Sequence, residues 1–151
     1  MPRLTKKLED ALVAEALLAR ASAYAPYSRF LVGAALLCAD GTVVRGCNVE
    51  NASYGLCICA ERTAVSTAVA LGKLGTLGKA NFRAIAIATS SRPPSPPCGM
   101  CRQFLAEFAP AIDIVLVNDR GARRRTTLKK LFPGTFTSAL LRSGTGAGGR
   151  A

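Results

Sequence analysis

Apolar residues recur at Leu8, Ala11, Leu12, Ala16 and Ala19, a stripe down one side of a helix, and this spacing predicts a helix over Leu8–Ala23. Pro26, inside the segment Tyr24–Ser28, ends it. The apolar runs Phe30–Cys38 and Thr42–Val49 flank Asp40-Gly41, a turn pair that predicts a β-hairpin. Asn51–Gly55 reads as loop, and Cys59–Leu71 as a second helix stopped near Gly72. Arg83–Thr89 is a short buried strand, and the Pro/Ser segment Ser90–Pro97 can continue neither strand nor helix. A third helix over Cys98–Phe108 ends near Pro110, and Ile112–Asn118 is a further strand. Beyond it come a basic turn, a strand at Arg123–Thr127 and a helical turn at Leu128–Leu131 before Pro133. Strands separated by helices point to an α/β fold: a three-layer α/β/α sandwich on a mixed sheet, antiparallel in its first pair and parallel where helices bridge the later strands.

One domain, residues 1–142, accounts for this pattern in a chain of 151 residues, followed by a flexible glycine-rich tail over residues 143–151. No apolar run is long enough to span a membrane, and the charged start lacks the pattern of a secretory signal, so the expected setting is the cytoplasm with no membrane partner. The formal net charge is +11, with its densest basic run over Arg120–Lys130. A charge of that size can mark a nucleic-acid binder, but no aromatic residues interleave with the run, and a solvated basic turn is the simpler explanation.

Six cysteines in such a chain read as metal ligands or buried thiols rather than a disulfide framework. Cys98-Gly99-Met100-Cys101 opens one helix and Cys59-Ala60-Glu61 another. Residues three apart on a helix share a face, so Cys98 and Cys101 can converge on one ion, with Cys59 as third thiolate. The chain contains no histidine, so any site for a soft metal must be built on thiolates. Three protein ligands with a fourth position for water are the mark of a catalytic rather than a structural zinc. Glu61 can then move protons between that water and a substrate nitrogen. Helix N-termini, with Arg62 and Arg102 as hydrogen-bond donors to the sulfurs, offset the negative charge of three thiolates. Cys98 and Cys101 alone would suit a redox pair equally well, and Cys-x-Glu alone would mean little. Cys38, Cys47 and Cys57 read as buried small hydrophobes, although Cys57 stands close enough to Cys59 to compete as a ligand.

Cys59–Arg62 (CAER) and Pro97–Gln103 (PCGMCRQ) resemble the zinc-deaminase signature in the form where Cys replaces His. The resemblance is to the small cytidine deaminases. It extends over about residues 8–141, through Tyr24–Phe30 (YAPYSRF), Val32–Leu36 (VGAAL), Gly46–Tyr54 (GCNVENASY) and Leu131–Phe136 (LFPGTF). It implies the three-layer deaminase sandwich, one Zn²⁺ per subunit on Cys59, Cys98 and Cys101, and catalysis by Glu61. It also implies Arg62 hydrogen-bonded to the zinc cysteines, and substrate contacts at Phe30, Asn48, Glu50, Tyr54, Ala60 and Phe136. Asn48 and Glu50 match the pair that grips the ribose, Phe30 an aromatic packed on the pyrimidine, and Phe136 an aromatic that reaches a neighbouring subunit's pocket. The expected activity is deamination of cytidine and deoxycytidine to the uridines and ammonia in pyrimidine salvage, by a homotetramer with shared active sites. Phe132, where aliphatic residues are usual, and the basic Arg120–Arg125 depart from the family pattern. A blasticidin-type deaminase would share the metal motifs without needing Asn48 and Glu50 as a ribose grip. A polynucleotide-editing enzyme is favoured only by the charge, and a zinc-binding module without activity would seal the fourth coordination position.

Overall fold

The computed structural model describes residues 4–74 and 82–144. Helix α1 (Lys6–Ala21) precedes the hairpin β1 (Gly33–Cys38) and β2 (Val43–Cys47). Helix α2 (Ala60–Ala70), strand β3 (Phe82–Thr89), helix α3 (Gly99–Phe108) and strands β4 (Asp113–Asn118) and β5 (Arg123–Thr127) follow, and α4 (Leu128–Leu131) and α5 (Ser138–Gly144) complete the described chain. The five strands form one sheet in the order β2-β1-β3-β4-β5. β1 runs antiparallel to both β2 and β3, β3 and β4 are parallel, and β5 returns antiparallel on β4.

The central strands are apolar except near the ends of β3 and β4, at Arg83, Thr89, Asp113 and Asn118, because both of their faces are covered. Ala34, Leu36, Ile85, Ile87, Ile114 and Leu116 point into a core shared with α2 and α3. The alternate residues Ala35, Leu37, Ala84, Ala86, Val115 and Val117 meet Leu12, Val13 and Ala16 of α1. Alanines dominate this second face, so α1 lies close to the sheet. The closeness is extreme at Gly33, where a Cβ would sit 2.2 Å from the Ala16 carbonyl oxygen and 2.3 Å from the Arg20 nitrogen. On the opposite face Gly46 does the same for α2: a Cβ there would meet the Ala64 nitrogen at 2.3 Å and the Ala60 oxygen at 2.4 Å. Neighbouring positions on paired strands, without side chains, thus let one helix onto each side of the sheet.

The predicted elements are present, with some differences. Helix α1 is capped at Ser22, ahead of Pro26, and Thr5 caps its start by accepting from the Leu8 N–H. The hairpin ladder stops at Cys47 because Asn48 turns its amide to the Phe30–Val32 backbone. Among strands joined through a helix, β3 pairs in parallel with β4, whereas β2 and β3 point the same way with β1 between them. A 3₁₀ turn at Tyr54–Leu56 and the helix α5 lay outside the sequence expectation. The expected tail belongs to α5 at Ser143 and Gly144 and lies outside the described residues from 145 onward.

Candidate active site

The topology gathers the chemistry at one end of the sheet. β2, β3 and β4 all finish there, so α2 and α3 begin there, and the segment leading into β1 passes the same place. Cys59 is the N-cap of α2 and Cys98 the N-cap of α3, and neither side chain caps its helix. Their sulfurs are left free to face one another and Cys101, one turn into α3. The three Sγ atoms lie within 4.8 Å of one another. Sulfurs at about 2.3 Å from a tetrahedral zinc stand roughly 3.8 Å apart, so this donor set fits one Zn²⁺ in both chemistry and spacing. Two helix N-termini add positive potential at the thiolates.

Charge within the cluster is strongly coupled. The Cys59 thiol is held down to about 5 by a hydrogen bond from Cys101, against its own burial, with Arg62 adding to the effect. Cys101 is correspondingly pushed up, first by that same bond to Cys59 and then by burial. Three thiolates in this space repel, and a divalent cation is the group that lets all of them ionise. Arg62 donates through Nη2 to the Cys57 carbonyl at 2.9 Å and to the Cys59 sulfur at 3.8 Å. Arg102 does not reach the sulfurs. Its Nε donates to the Pro97 carbonyl at 2.8 Å and its Nη1 to that of Leu131 at 2.9 Å, so it braces the chain on either side of the site.

Glu61, in the first turn of α2, is 5% exposed. Burial pushes its carboxyl above the usual range; its own backbone N–H opposes this, and the Cys59 charge adds to the rise. A buried carboxyl with raised proton affinity can take up a proton and pass it on. It lines a cavity of about 390 Å³ together with Cys59, Cys98, Ala60, Phe30, Asn48 and Glu50. The volume suits one small molecule.

Both polar residues of this wall are tied to the segment before β1. Asn48 accepts from the Val32 N–H at 2.8 Å and donates to the Phe30 carbonyl at 2.9 Å. Glu50 accepts from the Tyr27 and Ser28 N–H groups at 2.9 and 3.2 Å and from the Ser28 hydroxyl, which above all keeps its carboxyl low. An ionised, fixed carboxylate beside an anchored amide is a ready partner for a hydroxyl group. Tyr54 stands outside this cavity, 72% exposed, and lines a neighbouring hollow with Tyr27, Ser28, Glu50 and Cys57. Phe136 is also exposed and away from the pocket. Its backbone is clamped by Gln103, which donates to the Phe136 carbonyl at 2.9 Å and accepts from its N–H at 3.3 Å.

Of the remaining cysteines Cys38 is buried, but Cys47 and Cys57 are only half-buried. Cys57 lines both hollows and accepts from the Asn51 N–H at 3.3 Å, so it belongs to the pocket wall rather than the core. It is not among the converging sulfurs. In the basic run, Arg123 and Arg125 pair with Glu9 and Asp10 of α1 and fasten the edge strand to the helix. Pattern reading missed Ile58, Thr89 and Ser95, which also line the cavity; they are ordinary residues in sequence and only the fold brings them there.

A family model described as "Cytidine and deoxycytidylate deaminase zinc-binding region" matches residues 6–117. A Halalkalibacterium halodurans protein named cytidine deaminase is 50% identical over 128 residues, 84% of this chain and 92% of its own length. A Sporosarcina psychrophila protein of the same name is 45% identical over 129 residues, 85% and 90% of the two chains. The crystal structure of cytidine deaminase from Burkholderia pseudomallei superposes with a TM-score of 0.79 at 49% identity, covering 84% of this chain and 98% of that one.

Proposed function

Because the chain belongs to the cytidine and deoxycytidylate deaminase zinc-binding family, we propose for it the hydrolytic deamination of cytidine and deoxycytidine, giving the corresponding uridine nucleoside and ammonia. One observation carries this reading: three sulfurs lie within 4.8 Å of one another, and two of their residues, Cys59 and Cys98, line a pocket with the buried carboxyl of Glu61.

A Zn²⁺ on Cys59, Cys98 and Cys101 supplies a Lewis acid that brings the pKa of a water molecule toward neutrality. Glu61 takes the proton of the attacking water and delivers it to N3 of the cytosine ring. Once the water oxygen is bonded to C4, the same carboxyl moves the proton of that hydroxyl to the exocyclic nitrogen; the C4–N bond breaks, ammonia leaves with its electron pair, and C4 becomes the carbonyl of uridine. Burial raises the proton affinity of Glu61, which suits it to taking up a proton and passing it on. Asn48 and Glu50 hold the sugar hydroxyls, Phe30 packs on the ring, and the Ala60 backbone meets the base at the start of α2. Arg62 keeps the Cys59 sulfur ionised.

The active assembly is a homotetramer, with Tyr54 and Phe136 serving sites shared between subunits. Support lies in large apolar side chains exposed at the cavity and the hollow beside it, Ile58, Tyr27 and Tyr54. The six free cysteines suit the reducing cytoplasm, where the reaction serves pyrimidine salvage.

Purified protein incubated with cytidine, deoxycytidine, blasticidin and single-stranded polynucleotide tests the reading. The two nucleosides are expected to release ammonia. Turnover of blasticidin or polynucleotide alone overturns it.

A further inference from the structure

Cys98 reaches the cluster at the end of a segment that its own backbone cannot hold. Residues 90–97 include four prolines, Pro93, Pro94, Pro96 and Pro97, which have no N–H to donate. Among the described residues, residues 91–97 make no backbone–backbone hydrogen bond. Their order comes from side chains instead, and most of these bonds meet at Ser91. Its hydroxyl lies 2.8 Å from that of Thr89 and 2.6 Å from that of Ser95. Its carbonyl accepts from Asn118 Nδ2 at 3.3 Å, and its N–H donates to Thr89 Oγ1 at 3.4 Å.

Thr89 is 2% exposed, and its hydroxyl, that of Ser91 and that of Ser95 form one hydrogen-bonded chain in which each bond polarises the next. Thr89 and Ser95 both line the cavity, so the relay runs behind its wall and ties two points of that wall together. Asn118 is as firmly set. It is buried, and its Oδ1 accepts from the Arg120 and Ala122 N–H groups at 3.1 and 3.0 Å, which aims its Nδ2 at Ser91. At the far end of the segment Arg102 holds the Pro97 carbonyl.

We infer that Ser91 is a positioning residue for this deaminase: by tying Thr89, Ser95 and Asn118 to the proline segment, it fixes Cys98 at the metal and shapes the wall beside the base. The inference rests on the zinc reading above and extends it to a residue that touches neither metal nor substrate.

The test measures zinc release from the loaded protein to a chromophoric chelator, with KM and kcat for cytidine on the same samples. S91A is expected to release zinc about 10-fold faster, the lower end of what loss of a ligand-orienting group costs. Its KM for cytidine is expected to rise several-fold, with the melting temperature of the loaded protein close to wild type. S91T, which keeps the hydroxyl, should restore slow release. S91A/S95A should be no worse than S91A, because the relay is already broken. Wild-type release and KM in S91A, or equally fast release in S91T, overturns the assignment while leaving the deaminase reading intact. A wild-type protein that takes up no zinc overturns both.

Discussion

Burial holds the Glu61 carboxyl above the usual range, and the proposed chemistry uses that carboxyl to carry protons. Glu61→Gln keeps the volume and removes the basicity. Zinc content should stay at wild-type level while kcat falls about 10²- to 10⁴-fold, as measured by metal analysis and steady-state rates on one preparation. Arg62 is predicted to act on the metal instead. Arg62→Ala loses the bonds to the Cys59 sulfur and the Cys57 carbonyl, and zinc affinity measured by chelator competition should drop about 10- to 100-fold. Legibility at this scale followed from chemistry that depends on residue type. Thiols with a carboxylate at fixed spacing on helix starts can be read along the chain. The role of Arg102 could not, because a guanidinium one residue after a ligand also reaches two backbone carbonyls, and its own helix turns it toward them. Cys57 was likewise ambiguous: only the packing of the Asn51–Cys57 loop decides that its thiol faces the pocket.

At the scale of elements, two glycines set how closely the helices approach the sheet, and one aspartate holds the hairpin turn at its far end. Gly46 brings α2 against β2, and a methyl group there would overlap the α2 backbone. Gly46→Ala should cost at least about 2 kcal/mol in denaturant unfolding and lower zinc occupancy with it, since Cys59 and Glu61 ride on α2. Asp40 holds the hairpin turn. Its carboxyl is brought down to about 2 by the Thr42 N–H, followed by Lys73. Because the folded value lies below the ordinary one, its contribution to stability is fully present above about pH 3.8 and is lost as pH falls through about 2. A carboxyl resonance titrating near 4 in the folded protein would contradict that geometry. Alternating and continuous apolar runs made the strands and three main helices readable, since two covered faces leave a continuous signature. The turn at Tyr54–Leu56 and helix α5 gave no such sign, because neither buries an apolar stripe: no residue of the turn is buried, and Leu140 and Leu141 are exposed.

For the whole molecule, the proposed tetramer would cover exposed side chains such as Tyr27, Tyr54 and Ile58. Sedimentation is expected to give four times the 15.7 kDa chain mass at micromolar protein. Phe136→Ala should raise KM for cytidine without unfolding the subunit, because Gln103 clamps the Phe136 backbone rather than its ring. Normal turnover by a monomer would refute the shared site. The direct test of the central claim is a zinc titration of metal-stripped, fully reduced protein with cytidine turnover recorded at each step. Activity should rise linearly and reach its plateau at one Zn²⁺ per chain. Full turnover without metal, or one zinc bound per chain and no deamination, would contradict the account.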